Sequence, residues 1–149
     1  MISKTELHQY CLQLVQSKIV DLEQLIADAQ AASNNDTKSS MGDKYETIRE
    51  MMQIEINKLG QQLAETQQMN MAIKVLDPNK KCTAVEPGAF IETDKILFYL
   101  CAGLGKINVN EQTIMVISPG SPLGKAMLNK KANEDAGVNG VVYKIKTIY

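Results

Sequence analysis

Across its first 77 residues the chain has no proline, and its apolar side chains return at steps of three and four. Leu7, Cys11, Leu14 or Val15, Ile19, Leu22, Leu25 or Ile26, Ala29 and Ala32 follow the rhythm of one helical face. The rhythm stops over Ser33–Gly42, whose Asn, Asp, Ser and Gly content is that of a loop, and resumes at Tyr45, Ile48, Met52, Ile56, Leu59, Leu63, Thr66, Asn70 and Ile73. Two helices of about 30 residues are predicted, each on the order of 45 Å long at 1.5 Å per residue. One short loop between them favours antiparallel pairing, so residues 1–77 read as a coiled-coil hairpin with a tip. Ser3-Lys4-Thr5-Glu6 supplies a capping box at the start, with Ile2 and Leu7 placed as a hydrophobic staple. Gly60 inside the second helix costs about 1 kcal/mol relative to alanine.

Composition changes class near Asp77-Pro78-Asn79. All four prolines and seven of the nine glycines lie at or beyond residue 78, where Val, Ile, Phe and Tyr replace the Gln, Leu, Met and Glu of the first part. Residues 78–149 therefore read as a second domain of short strands and turns. Strand-like runs occur at Phe90–Glu92, Ile96–Cys101, Lys106–Val109, Thr113–Ser118 and Val141–Ile148, and predict a compact antiparallel sheet. Between the last two, Ser121 as N-cap and Pro122 at the first helical position announce a short helix that packs Leu123, Met127 and Leu128 on the sheet. The fold class is α+β.

Charge divides at the same boundary, −4 before it and +3 after it, for a total of −1. That total gives no basic footprint for independent DNA binding. Cys11, Cys82 and Cys101 are odd in number and far apart, without a CxxC pair, which argues against a disulfide framework or zinc site. With no apolar run of membrane-spanning length and no signal core after Met1, the expected location is cytoplasmic. His8, the only histidine, is expected to face solvent from the first turns of a helix, and Cys82 and Cys101 to fill space near the sheet.

The tip carries Asp36, Asp43 and Glu46 among Lys38 and Lys44. Asp43 and Glu46 are three apart at the start of the second helix, so one reading is an N-cap with its N3 partner, complementing the helix dipole. The other is an outward display of two hard oxygen donors for a divalent cation such as Mg²⁺, with water and another molecule completing the shell.

Ile117-Ser118-Pro119-Gly120-Ser121-Pro122-Leu123-Gly124-Lys125-Ala126-Met127-Leu128, followed by Lys130-Lys131, resembles the carboxy-terminal signature of Gre-type transcription elongation (transcript cleavage) factors. Gly42-Asp43 with Glu46 is similar to that family's tip motif, and the resemblance spans essentially the whole chain. It implies a coiled-coil hairpin (1–77) followed by an FKBP-like domain (78–149) that docks on the rim of the RNA polymerase secondary channel. It further implies that the hairpin enters the channel. There Asp43 and Glu46 would help to retain a Mg²⁺ ion shared with the polymerase, so that the backtracked RNA 3′ end is cleaved; the protein itself is no enzyme and has no cofactor of its own. Ser121 and Pro122 carry over as partner-binding residues. This chain has Gly120 where many members place an acidic residue, and Lys44 and Tyr45 between the tip carboxylates.

Two alternatives stand beside that reading. A non-cleaving regulator would occupy the same channel, whereas a coiled-coil adaptor or chaperone would bind a different protein and tolerate neutral residues at Asp43 and Glu46. A self-contained enzyme, such as a prolyl isomerase suggested by an FKBP-like fold, is disfavoured, since the second domain has no Trp and few aromatics to line a pocket. The wide apolar faces at Leu14/Val15 and Leu25/Ile26 leave room for self-association.

Overall fold

The computed structural model describes residues 1–35 and 42–149, with the side chains of residue 35 and residues 42–45 left aside. Its elements run α1 (Lys4–Asn35), α2 (Gly42–Lys74), β1 (Phe90–Thr93), β2 (Leu97–Leu100), β3 (Gly105–Val109), β4 (Gln112–Ile117), α3 (Pro122–Met127), β5 (Asp135–Val138) and β6 (Val141–Ile148). A helical hairpin thus precedes a six-stranded, mostly antiparallel sheet with one short helix, an α+β architecture. Two compact units are distinguished: Gln13–Asn70, and Met1–Leu12 together with Met71–Tyr149.

In the first of these units, the more protected positions of α1 are Val15, Ile19, Leu22, Ile26 and Ala29. Those of α2 are Met52, Ile56, Leu59, Leu63, Thr66 and Asn70. Both series alternate steps of four and three, the spacing that keeps one seam facing a partner helix. The pair of choices left open by periodicity resolves here: Val15 is fully buried while Leu14 is exposed, and Leu25 is 51% exposed while Ile26 is half-buried. The seam turns polar towards residue 70. Thr66 Oγ1 donates back to the Gln62 carbonyl at 2.7 Å, and the Asn70 Oδ1 is buried without a partner among the described residues.

The second unit is built on a sheet of order β3-β4-β2-β1-β6-β5. It departs from the sequence expectation in two ways. β2 and β4 pair in parallel, because β3 lies outside β4 as the edge strand and the β3–β4 hairpin brings the chain back beside β2 in its original direction. A sixth strand, β5, pairs antiparallel with β6. Asp135-Ala136-Gly137-Val138 has little strand propensity, but Asn139 (φ 54°) and Gly140 (φ 79°) form the two-residue turn that returns the chain as β6.

The registers Phe90↔Tyr99↔Val116 and Ile91↔Phe98↔Met115 divide the sheet into two faces. Ile91, Phe98, Leu100, Ile117 and Ile145 join Met127 of α3, Cys82 and Val85 in one core. The other face takes the first turns of α1. Ile2 donates its amide to Gln112 Oε1 at 2.9 Å, and His8 Nδ1 lies 2.8 Å from the Tyr99 hydroxyl. His8 is therefore not solvent-facing as its helical position suggested but 5% exposed, because it lies beside Leu7 and one turn from Cys11, on the side of α1 that the sheet covers. Leu7 and Cys11 are fully buried.

The start of α1 is fixed locally by the Ser3 half of the capping box, with the Glu6 amide donating to Ser3 Oγ at 3.2 Å and Ile2 and Leu7 both buried. At the first helical position, the Lys4 ammonium donates to the main-chain oxygens of Lys80 (2.7 Å) and Tyr149 (3.0 Å) and approaches Cys82 Sγ at 3.5 Å. A single cation thereby ties α1 to the segment that follows α2 and to the end of β6.

Candidate functional site

Of the tip residues, Asp36, Lys38 and the side chains of Asp43, Lys44 and Tyr45 lie outside the described residues. Glu46 is exposed on the first turns of α2. With Arg49, Glu50 and Gln53 it lines an open cleft of about 300 Å³. These residues recur at three and four, so one helical face carries two carboxylates a turn apart, the chain's one arginine and a carboxamide. Among the described residues no group of three or more His, Cys, Asp or Glu is gathered to hold a metal. The donors at this face are hard carboxylate oxygens in open solvent. That set suits Mg²⁺ as one or two ligands in a shell completed by water and another molecule, and does not suit a closed protein cage.

The second candidate, Ser121-Pro122, sits in the connection from β4 to α3. The turn begins where the Ser121 amide donates to the Ser118 carbonyl at 3.1 Å, with Pro119 and Gly120 between them. Ser121 adopts an extended backbone (φ −68°, ψ 158°), its Oγ accepts from the Gly124 amide at 3.0 Å, and its hydroxyl donates to the Ser118 carbonyl at 2.7 Å. Both functions of the hydroxyl are thus used inside the protein. Pro122 occupies the first helical position, where a missing N–H costs nothing, and its side chain is exposed. Of the two, Pro122 is exposed and Ser121 half-buried, so Pro122 offers a partner the larger surface.

Gly124 was missed by motif reading as a residue with its own task. A Cβ placed there would meet the Ser118 carbonyl oxygen at 2.1 Å and Ser121 Oγ at 2.9 Å, so only glycine fits beneath the turn. The signal was available in its position, three residues after an N-cap serine that folds back on the preceding turn. Met127 is fully buried in the core and Leu123 packs against it, whereas Leu128, expected on the sheet, is 36% exposed. α3 stops at Met127, and the backbone then leaves the helix so that both main-chain groups of Val85 are bonded to the segment that follows it, Val85 N to Lys130 O and Asn129 N to Val85 O, each 2.8 Å.

At the start of α1, burial lowers the His8 pKa more than the nearby Asp77 carboxylate raises it, and Lys4 lowers it further. The Tyr99 phenol is pushed up by burial, with Cys101, Cys11 and Cys82 adding to the effect. Neither group is placed for general acid–base chemistry, and the pair serves as a buried hydrogen bond between α1 and β2.

No helix among the described residues is long and apolar enough to cross a membrane. No protein-family model matches the chain, and no curated protein matches it. A solved structure described as "Structure of the transcription factor Gfh1" aligns with 93% of this chain and 93% of its own, at 12% sequence identity and a TM-score of 0.39.

Proposed function

We propose that the protein is a transcription elongation factor that enters the secondary channel of RNA polymerase and stimulates the polymerase's own cleavage of backtracked RNA. The observation that carries this reading is the segment Ile117–Leu128, which resembles the Gre signature and folds as a turn and a capped helix with Pro122 exposed. In this reading the sheet domain docks on the channel rim through the Ser121-Pro122 turn, and the hairpin presents Asp43 and Glu46 to the polymerase active site. Mg²⁺ shared with the polymerase supplies charge stabilisation at the attacking and leaving oxygens. The chain contributes carboxylate oxygens that hold and orient water, while the remaining apparatus belongs to the polymerase. The protein is then no enzyme by itself, has no resident cofactor, works in the cytoplasm and binds no DNA independently.

The test is release of the RNA 3′ end from a stalled, backtracked polymerase complex of the host. Wild-type protein is compared with Asp43→Asn/Glu46→Gln at concentrations shown to saturate binding. Accelerated cleavage that the double substitution abolishes is the expected result. Binding without acceleration moves the protein to the non-cleaving channel regulators; absence of binding removes polymerase and leaves the adaptor.

A further inference from the structure

We propose that Cys11 and Cys101 are a dithiol that closes to an intrachain disulfide on exposure to hydrogen peroxide, stapling the first turns of α1 to the sheet. Tyr99 and Cys101 are two residues apart along a strand path that continues past β2, since the Cys101 amide still donates to the Ile117 carbonyl at 2.9 Å. Their side chains therefore leave the sheet on one face. His8 and Cys11 are three apart on α1 and share one side of the helix. The 2.8 Å bond from His8 to Tyr99 sets these two surfaces against each other, which brings Cys11 over Cys101. Both residues are closed to solvent, at 0% and 4% exposure. Contact with the Cys11 thiol and burial hold the Cys101 thiol well above its ordinary range. Cys82 packs with the core that holds Ile91 and Phe98, its thiol donates to Glu86 at 3.2 Å with the Lys4 ammonium 3.5 Å away, and it takes no part.

In the reaction one thiol takes an oxygen from hydrogen peroxide to become a sulfenic acid and releases water. The second thiol then displaces that oxygen, forming the S–S bond and releasing a second water. Two thiols lose two electrons in total and the peroxide O–O bond accepts them. Peroxide is small and uncharged, so it reaches a site from which bulkier disulfide oxidants are excluded. The raised pKa of the Cys101 thiol and the burial of both residues make the step slow, and the closed form is reopened by a dithiol reductant. This device is independent of the polymerase reading, because it concerns only α1's root and the sheet.

The experiment treats the full chain with graded hydrogen peroxide, quenches it, unfolds it and counts free thiols, with Cys82→Ser treated in parallel and linked peptides mapped without reduction. The expected result is paired loss of two of the three thiols in the wild type and of both in Cys82→Ser, a linked Cys11–Cys101 peptide, and full recovery with dithiothreitol. A link that includes Cys82, covalent dimers, loss of a single thiol, or no loss at peroxide levels that oxidise the unfolded chain overturns the proposal. Cys11→Ser removes the paired loss; where that variant fails to fold, the peptide map of Cys82→Ser decides.

Discussion

His8 Nδ1 and the Tyr99 hydroxyl meet at 2.8 Å across the contact between α1 and β2, with the rings edge-on at 6.3 Å between centroids. This is a buried polar pair in which each partner answers the other, and its removal is asymmetric. Tyr99→Phe keeps the ring and its packing but leaves His8 Nδ1 buried without a partner, which costs about 1–3 kcal/mol. Urea unfolding of the two proteins at pH 8 measures it; equal midpoints would mean that His8 finds another partner or water.

The same histidine gives the protein an acid-side weakness. Burial lowers its folded-state pKa below the ordinary value of 6.5, so the unfolded chain takes up the proton more readily than the native one. Its contribution is fully present above pH 6.5 and is lost as pH falls through that value towards the lowered one. Asp94, held below the usual carboxylate range by the Lys144 amide, adds a loss at lower pH still. Stability measured from pH 8 to pH 5 is expected to fall, and His8→Gln is expected to flatten the part of the curve between about pH 6.5 and 5. A slope unchanged in His8→Gln would assign the loss to carboxylates.

These two expectations rest on a residue that sequence reading placed in solvent, and the reason shows what a single sequence encodes. Hydrophobic spacing marks Leu7, Cys11 and Ile19 as one stripe, and the structure buries or half-buries them. A polar residue adjoining the stripe carries no sign of whether it will find a partner, because Tyr99 is 91 residues away. The helices and α3's cap were legible, since each is written in local chemistry: period, proline and glycine placement, Ser121 before Pro122. The parallel pairing of β2 with β4 was not, since strand order is decided by long-range packing, and β5 was hidden by its Asp-Ala-Gly composition although the Asn139-Gly140 turn announced a hairpin. Of the candidate site, the positions of Ser121, Pro122 and Glu46 were legible but their surroundings were not: that the Ser121 hydroxyl is spent internally is a fact of the fold.

Gly124 and Gly60 make opposite predictions from one comparison. At Gly124 an added methyl meets the Ser118 carbonyl oxygen at 2.1 Å, a backbone atom of the turn that cannot swing aside, so Gly124→Ala is expected to destabilise by roughly 1–3 kcal/mol or more through forced backbone shifts. At Gly60 nothing lies within 4 Å of the built Cβ and the helix continues on both sides, so Gly60→Ala is expected to stabilise by about 0.5–1 kcal/mol. Thermal melts of the two variants beside the wild type check both signs, and a destabilised Gly60→Ala would show that the seam of the hairpin needs close approach there.

Docking and capping, the two roles laid on the β4–α3 turn, separate at Pro122 and not at Ser121. Ser121→Ala removes an acceptor for the Gly124 amide and a donor to the Ser118 carbonyl, and is expected to cost about 0.5–2 kcal/mol by loss of the cap. Any fall in polymerase affinity in that variant therefore mixes a damaged turn with a lost contact. Pro122 makes no hydrogen bond through its nitrogen and is exposed, so Pro122→Ala gives up only the entropic restraint of the ring, about 0.4–1 kcal/mol. With the variant folded well below its melting temperature, its affinity for host RNA polymerase is expected to drop several-fold or more, in equilibrium binding with labelled protein. Wild-type affinity in Pro122→Ala would mean that the turn serves α3 alone and is not the docking contact.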